Sequence, residues 1–145
     1  MPTVIRSRTV AAPPEELWQV ISDPYHLPRW WPRVARVEAV AKRGWTSVLL
    51  TERGNEVRVR YDVVSSKRPS TRRWTQAIAG SPFEKILHES SFAASLEPIS
   101  GGTRMTLEAR QRPKGMARLG ALLMRRATAK QLDEALEGLE RACAR

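Results

Sequence analysis

The sequence has 145 residues, a length that predicts one domain over residues 1–145, with a sizeable core or a core hollowed by a pocket. Its single cysteine, Cys143, excludes an intrachain disulfide and a cysteine metal cluster. The 25 lysine and arginine residues against 15 acidic ones give a formal net charge of +10, which attracts polyanions but by itself defines no binding site.

The N-terminal segment indicates the cellular compartment of the protein. Residues 1–6 lack the apolar core of a secretory signal, and no segment of the sequence is apolar over the length needed to cross a bilayer. We therefore expect a cytoplasmic protein with no membrane span.

The first third of the sequence predicts one strand and two short helices. Proline is tolerated in the first turn of a helix, and Glu15 and Glu16 suit the positive end of the helix dipole. Asp23 can cap a second helix, which Pro32 stops. The predicted ranges are Thr3–Ala11 for the strand, with Arg6 and Arg8 on its polar outer side, Pro13–Ser22 for the first helix, and Pro24 to Trp30 or Trp31 for the second.

Residues 33–112 predict an antiparallel meander, because turn signals recur at strand-length intervals. Apolar and charged residues alternate most clearly over residues 56–63, so one face of the sheet is dry and the other is wet. The predicted strands are Val34–Ala41, Trp45–Thr51, Glu56–Ser65, Thr71–Ile78, Phe83–Leu96 and Thr103–Arg112.

The last segment, from Pro113 to about Ala142, predicts one long amphipathic helix. Its leucines and methionines recur at helical spacing with charged residues between them. A helix of this length needs an apolar surface on which to lie. The predicted apolar stripe consists of Met116, Leu119, Leu122 or Leu123, Leu132, Leu136 and Leu139.

The N-terminal third also carries a recognisable pattern. It consists of Ala12, Pro13, Glu16, Leu17, Trp18, Val20, Ile21, Ser22, Asp23, Pro24, Leu27, Trp30 and Pro32. This pattern resembles the N-terminal signature of the START-like (SRPBCC) superfamily, which includes the Bet v 1-like proteins and the polyketide cyclase/dehydrase and lipid-transport group. The order of the predicted elements extends the resemblance over essentially the whole chain.

The resemblance implies an α+β helix-grip fold. In this fold a curved antiparallel sheet of about seven strands wraps around a long C-terminal helix, and two short helices lie between strands 1 and 2. The space between sheet and helix is either packed solid or left open as a ligand cavity.

The sequence contains no recognisable catalytic nucleophile motif and no phosphate-binding or dinucleotide-binding loop, so no cofactor is predicted. Its two histidines, His26 and His88, lie on separate elements and do not predict a metal site. His88 shares a strand phase with Phe92, which places it toward the interior. It is therefore the candidate general acid or base, although a histidine that only lines a pocket fits the same pattern.

Aromatic residues spread over the short helices and several strands converge only if the sheet closes over one interior. Inward polar atoms among them need partners, which a ligand can provide. Methionines add adaptable walls. The candidate ligand-binding residues are Trp31, Tyr61, Trp74, Gln76, His88, Phe92, Met105 and Met116.

Three functions fit these observations. The first is binding of a hydrophobic or aromatic small molecule, lipid-like or polyketide-like, by a monomer or homodimer. The second is an aromatase/cyclase of the same fold, in which His88, Tyr61 or Gln76 assists proton transfer. The third is a regulatory module that binds protein or RNA through its basic surface. No aromatic-interleaved RNA-binding motif is present, and we expect no specific nucleic-acid partner.

Overall fold

Seven antiparallel strands form one sheet in the computed structural model, which describes residues 3–143. Their order across the sheet is β1-β7-β6-β5-β4-β3-β2, so consecutive strands from β2 to β7 are neighbours and β1 pairs with β7. The strands are β1 (Thr3–Val10), β2 (Val34–Ala41), β3 (Gly44–Leu50), β4 (Glu56–Lys67), β5 (Thr71–Gln76), β6 (Leu87–Ile99) and β7 (Gly102–Pro113). The predicted meander and strand count are confirmed.

Within residues 3–143, three α-helices complete the fold: α1 (Pro14–Ser22), α2 (Leu27–Trp30) and α3 (Ala121–Ala142). Pro14 occupies the first position of α1, as predicted. Asp23 caps a 3-10 turn over Pro24–His26 rather than an α-helix, its Oδ1 accepting from the Tyr25 N–H at 3.0 Å. The predicted second helix is therefore a 3-10 turn followed by the single turn of α2.

The C-terminal half of α3 is the more deeply buried half. Leu132, Ala135, Leu136 and Leu139 are almost completely buried in one core with residues of β7, α1 and α2. Burying each leucine contributes roughly 1.5–3 kcal/mol. We call the side of the sheet that faces this core the helix-facing side.

Gly138 allows α3 to approach α2 closely. A Cβ atom added at this position would collide with the backbone carbonyl oxygen and Cα of Trp30. The collision involves backbone atoms, which cannot swing away as the end of a side chain can. The absence of a side chain at Gly138 therefore sets how closely the two helices pack.

Charged contacts also join α3 to β1. Arg6 Nε lies 3.6 Å from Asp133 Oδ1, and Arg8 Nε donates to Glu140 Oε2 at 3.0 Å. The prediction that Arg6 and Arg8 face outward was wrong, because a strand has a period of two and both arginines share the face of Val4 and Val10. The hydrogen bond from Arg8 lowers the pKa of the Glu140 carboxyl.

The long C-terminal helix begins later than predicted. β7 continues to Pro113, a 3-10 segment follows over Gly115–Gly120, and α3 starts at Ala121. Gly115 has φ of +59°, a left-handed conformation that interrupts any regular helix. The first part of the predicted stripe, in the 3-10 segment and the first turn of α3, is solvent-exposed: Met116, Leu119, Leu122 and Leu123.

The start of β6 also differs from the prediction. Phe83 lies in a 3-10 turn over Pro82–Lys85, which Ser81 caps by accepting from the Phe83 N–H at 3.2 Å. β6 begins at Leu87, and its pairing with β7 shifts between Leu87 and Glu89. This irregularity changes the side of the sheet to which the neighbouring side chains point.

We predict that Gly138→Ala lowers the free energy of unfolding by more than about 1 kcal/mol, although alanine is the better helix former by about that amount. The added methyl group would push α3 away from the Trp30 backbone. Gly120→Ala is the matched control, since nothing lies within 4 Å of the added Cβ and the φ of −96° suits alanine. Urea unfolding of both variants measures the difference, and equal effects would show that close packing at Gly138 is unimportant.

Candidate functional site

A row of polar side chains crosses the helix-facing side of the sheet. Tyr61 on β4 pairs with Gln76 on β5, and Ser90 on β6 pairs with Gln111 on β7. The pair Thr75–Ser91 places Gln76 beside Ser90, so the four residues follow one another across four strands. Thr128 of α3 completes this set, which we call the polar row.

The half of the polar row nearest α3 is hydrogen-bonded. Thr128 Oγ1 donates to Gln111 Oε1 at 3.0 Å, and Gln111 Nε2 donates to Ser90 Oγ at 3.4 Å. The Ser90 side chain is completely buried, and its backbone carbonyl accepts from Thr75 Oγ1 at 3.3 Å. These bonds tie α3 to the sheet through polar contacts.

Gln76, at the middle of the row, has a donor without a partner. Its side chain is 9% exposed, and the amide nitrogen Nε2 is buried with no hydrogen-bond partner in the part of the chain that the structure describes. A buried donor left unpaired costs about 1–3 kcal/mol. The row therefore presents a dry N–H group that an acceptor atom of a bound molecule could satisfy.

Aromatic rings surround the row on the helix-facing side. Trp45 stacks on Tyr61 with ring centroids 5.5 Å apart, and Trp74 stacks on Phe92 at 6.0 Å. Trp31 lies edge-on to Phe92 at 5.2 Å. Burial raises the pKa of the Tyr61 phenol, so this group is neutral near pH 7 and acts as a hydrogen-bonding hydroxyl.

A groove of about 350 Å³ lies between α3 and the segment that links α2 to β2. It is open to solvent, and Thr128 is one of its lining residues, so the groove and the polar row share this side chain. A second groove of about 370 Å³ includes Trp31 and shares two residues of the link and one of α3 with the first. Lining residues of the first groove include Pro32, Arg33, Met124, Ala127, Thr128 and Gln131.

The rim residue Arg33 has an unusual backbone. Its φ is +66°, in the left-handed region that non-glycine residues rarely adopt. The conformation is supported on both sides, because the Arg33 carbonyl accepts from the Leu50 N–H at 2.9 Å and its guanidinium lies 3.3 Å from Glu52. The groove is therefore bordered by a turn held in a defined shape.

Arg72 is a buried cation on the same side of β5 as Trp74 and Gln76. It is 7% exposed, and Nη1 donates to Ser66 Oγ at 3.1 Å. Among residues 3–143 no carboxylate lies within ion-pair distance of Arg72, and desolvation lowers the pKa of its guanidinium. The Arg72 guanidinium is therefore a second polar group on the helix-facing side, apart from the polar row.

The structure brings together five of the predicted ligand-binding residues: Trp31, Tyr61, Trp74, Gln76 and Phe92. Met105 is fully buried but is six residues along β7 from Gln111, about 20 Å at the rise of a strand. It belongs to the core at the far end of the sheet and does not approach the polar row.

The placement of His88 inside was wrong. His88 and Glu89 are both exposed, because the irregularity between Leu87 and Glu89 interrupts the alternation that resumes at Ser90. Met116 was also misplaced, since it is 80% exposed in the 3-10 segment before α3. Neither side chain can contact a molecule held at the polar row.

Four residues of this region were missed: Arg72, Ser90, Gln111 and Thr128. The strand alternation contained a signal for the first three, because Arg72 is in phase with Trp74, Ser90 with Phe92, and Gln111 with Leu107. Thr128 lies four residues before Leu132 and so shares its helix face. These four residues could have been found by looking for polar side chains that lie in phase with the apolar residues of a strand or helix.

The described residues show neither a metal-binding cluster nor a reactive thiol site. Residues 3–143 contain no group of three histidine, cysteine or acidic side chains placed to hold a metal ion. Cys143 is buried at the end of α3, and burial raises the pKa of its thiol. None of the described helices is long and apolar enough to cross a membrane.

We predict that Gln76→Leu raises the free energy of unfolding by about 1 kcal/mol, because it removes an unpaired buried amide. Gln111→Leu is the matched control and should lower it by about 1–3 kcal/mol, because Thr128 and Ser90 lose their partners. Thermal and urea unfolding of the two variants measure both changes. Destabilisation by Gln76→Leu equal to that of Gln111→Leu would show that the Gln76 amide is satisfied in solution.

Comparison with known proteins identifies the family. The model of the family described as polyketide cyclase / dehydrase and lipid transport matches residues 1–144. No curated protein matches the sequence.

Three solved structures illustrate the shared fold. A START superfamily protein from Mycobacterium smegmatis superimposes with a TM-score of 0.79 at 14% identity, covering 97% of this chain and 95% of that one. The di-domain ARO/CYC StfQ from the steffimycin biosynthetic pathway gives 0.77 at 16% identity, over 97% of this chain and 49% of that one. Ara h 8.0201 gives 0.73 at 20% identity, over 97% and 95%.

These identities establish the fold alone, which is the predicted helix-grip arrangement of the START and Bet v 1 type. Because the family model spans nearly all of the sequence, the chain belongs to the polyketide cyclase/dehydrase and lipid-transport family.

Proposed function

We propose that the protein binds a hydrophobic or aromatic small molecule, lipid-like or polyketide-like, between the sheet and α3. The observation that carries the proposal is the buried amide N–H of Gln76, which has no partner and lies among aromatic rings. An apolar site with a few separated polar groups is the usual form of a small-molecule pocket. A ligand acceptor would remove the cost of the unpaired donor.

The chemistry of the row selects a class of ligand. Gln76 offers a donor, and its cross-strand partner Tyr61 offers a neutral hydroxyl. Both groups favour a carbonyl, ether or hydroxyl oxygen on the ligand, since these atoms accept hydrogen bonds. The stacked pairs Trp45–Tyr61 and Trp74–Phe92 provide flat apolar walls, which suit an oxygenated aromatic molecule better than a bare hydrocarbon.

Access to this region would be from the groove beside α3. Thr128 lines the groove and donates to Gln111 of the polar row. The aromatic rings on the helix-facing side are in contact with one another, with Trp31 and Phe92 at 5.2 Å. A ligand must therefore displace Trp31, which lines the second groove, or the exposed first turns of α3.

The binding experiment compares two probes of similar shape, a hydroxyanthraquinone and anthracene, by quenching of tryptophan fluorescence. We expect the wild type to bind the anthraquinone at least about tenfold more tightly, the value of one good hydrogen bond. Gln76→Leu should remove most of this preference while keeping affinity for anthracene. Native mass spectrometry of freshly purified protein tests for a retained molecule.

His88→Ala is the control, because His88 lies at the surface and should leave both affinities unchanged. Two results would overturn the proposal: failure of the wild type to bind either probe, or a preference for anthraquinone that is undiminished in Gln76→Leu.

An aromatase/cyclase activity is the second candidate. The likeness to the di-domain ARO/CYC StfQ over 97% of this chain favours it, together with the Tyr61 hydroxyl beside Gln76. Proton transfer would depend on Tyr61, because the exposed position of His88 removes that residue from the interior. A raised pKa keeps the Tyr61 phenol protonated, so it would stabilise a developing enolate oxygen as a hydrogen-bond donor and would not act as a base.

Turnover distinguishes the two candidates. If the protein is a cyclase, Tyr61→Phe should reduce cyclisation of a poly-β-ketone substrate by about a hundredfold or more while binding survives. Product formation by the wild type is followed by absorbance of the aromatic product. Absence of turnover in a wild-type protein that binds the anthraquinone would exclude the cyclase and leave the binding function.

A further inference from the structure

We propose that the segment from Arg112 to Lys130 docks on the surface of an anionic lipid bilayer. This docking segment comprises the end of β7, the 3-10 turns over Gly115–Gly120 and the first half of α3. The proposal concerns a partner surface and does not depend on the ligand assigned to the interior.

The first observation is a cluster of exposed apolar side chains. Met116 and Leu119 are each 80% exposed, Leu122 is 63% exposed and Leu123 is 70% exposed. They lie at spacings of three or four residues, so the leucines share one side of the helical segment. Soluble proteins rarely expose large aliphatic residues together, and such clusters mark interaction sites.

The second observation is the charge around the cluster. Residues 109–132 include seven lysines and arginines and no acidic residue. Arg110 pairs with Glu108, whereas the other six have no ion pair within residues 3–143. Arginines elsewhere are commonly paired, as Arg8 is with Glu140 and Arg58 with Glu38. The six unpaired cations are Arg112, Lys114, Arg118, Arg125, Arg126 and Lys130.

Apolar and basic residues are ordered along α3 as a bilayer surface requires. Arg126 follows Leu122 by four residues and Lys130 follows Arg126 by four, so all three lie on one face. The tip of the segment can place its leucines among acyl chains while the arginines reach headgroup phosphates. Each basic residue near an anionic surface strengthens the attraction.

The charge and the aliphatic character of the docking segment favour a bilayer over two other partners, a second copy of the chain and single-stranded RNA. A second copy of the chain would bring the same cations against these, and like charges repel. Single-stranded RNA binds through phosphates and stacking aromatics, but the exposed apolar side chains here are aliphatic. An anionic bilayer uses both the aliphatic cluster and the cations, and none of the described helices needs to cross it.

The docking segment borders the groove, since Met124 and Lys130 line it. Docking would bring the groove close to the lipid headgroups. This proximity would let an apolar molecule pass between the bilayer and the groove without crossing water.

The experiment is flotation of the full chain with vesicles of phosphatidylcholine alone or with 30% phosphatidylglycerol, a composition rich in negative headgroups. We expect binding to the anionic vesicles only, and weakening at high salt. Arg118→Glu with Arg126→Glu, and separately Leu119→Ser with Leu122→Ser, should each weaken binding by more than about tenfold.

The matched control variants carry the same types of substitution outside the docking segment. Arg53→Glu with Arg73→Glu reverses two exposed arginines, and Ile5→Ser with Val64→Ser removes two exposed apolar residues. Both controls should retain at least about half of the binding, allowing for the general loss of net charge. Because all eight positions are exposed, unchanged thermal midpoints should show that every variant is folded.

Several results would overturn the proposal. One is equal binding to neutral and anionic vesicles, or no binding to either; another is an equal loss in the controls. Sedimentation that shows a dimer dissociated by Leu119→Ser with Leu122→Ser would assign the cluster to a second copy. Release from anionic vesicles by RNA at an equal phosphate concentration would assign the surface to nucleic acid.

Discussion

The partial docking of α3 is the constraint on which the rest of the structure depends. Its C-terminal half is fixed by Leu132, Leu136 and Leu139 and by the close approach of Gly138 to the Trp30 backbone. No residue of α3 before Thr128 is buried, and Leu122 and Leu123 lie in solvent. The groove and the exposed basic segment both lie at this less buried half, whose residues Met124, Ala127 and Thr128 line the groove.

The polar row lies where the two halves of α3 meet. Thr128, one turn before Leu132, is the point at which the helix exchanges apolar contacts for a hydrogen bond to Gln111. Hydrogen bonds then continue to Ser90 but do not reach Gln76. An unpaired buried donor is unfavourable for stability, so a binding role gives a physical reason for an amide at a position where leucine would pack.

Periodicity accounts for what could be predicted. Strand alternation and helical spacing were sufficient for the order of elements, the buried leucines of α3 and the inward positions of Tyr61, Trp74 and Phe92. His88 could not be placed, because one irregular pair beside Leu87 changes the facing of the next residues and leaves no mark in the amino-acid pattern. Met116 failed for another reason: its spacing is helical, but the left-handed Gly115 starts a separate 3-10 segment. Met105 points inward as expected, and only the register shows its distance from the row.

The exposed stripe also shows why an apolar helical pattern is ambiguous. Leu122 and Leu132 belong to one predicted stripe, but ten residues set them about 80° apart around α3, and one is exposed while the other is completely buried. The charges between them differ: residues 109–132 lack acidic side chains, whereas Asp133 and Glu140 in the docked half pair with Arg6 and Arg8 of β1. The buried half of α3 therefore forms ion pairs with the sheet, whereas the exposed half carries cations without an ion-pair partner among the described residues. A surface with this combination of aliphatic side chains and uncompensated positive charge is matched by a partner that is apolar and anionic at once, which is the physical description of a bilayer interface.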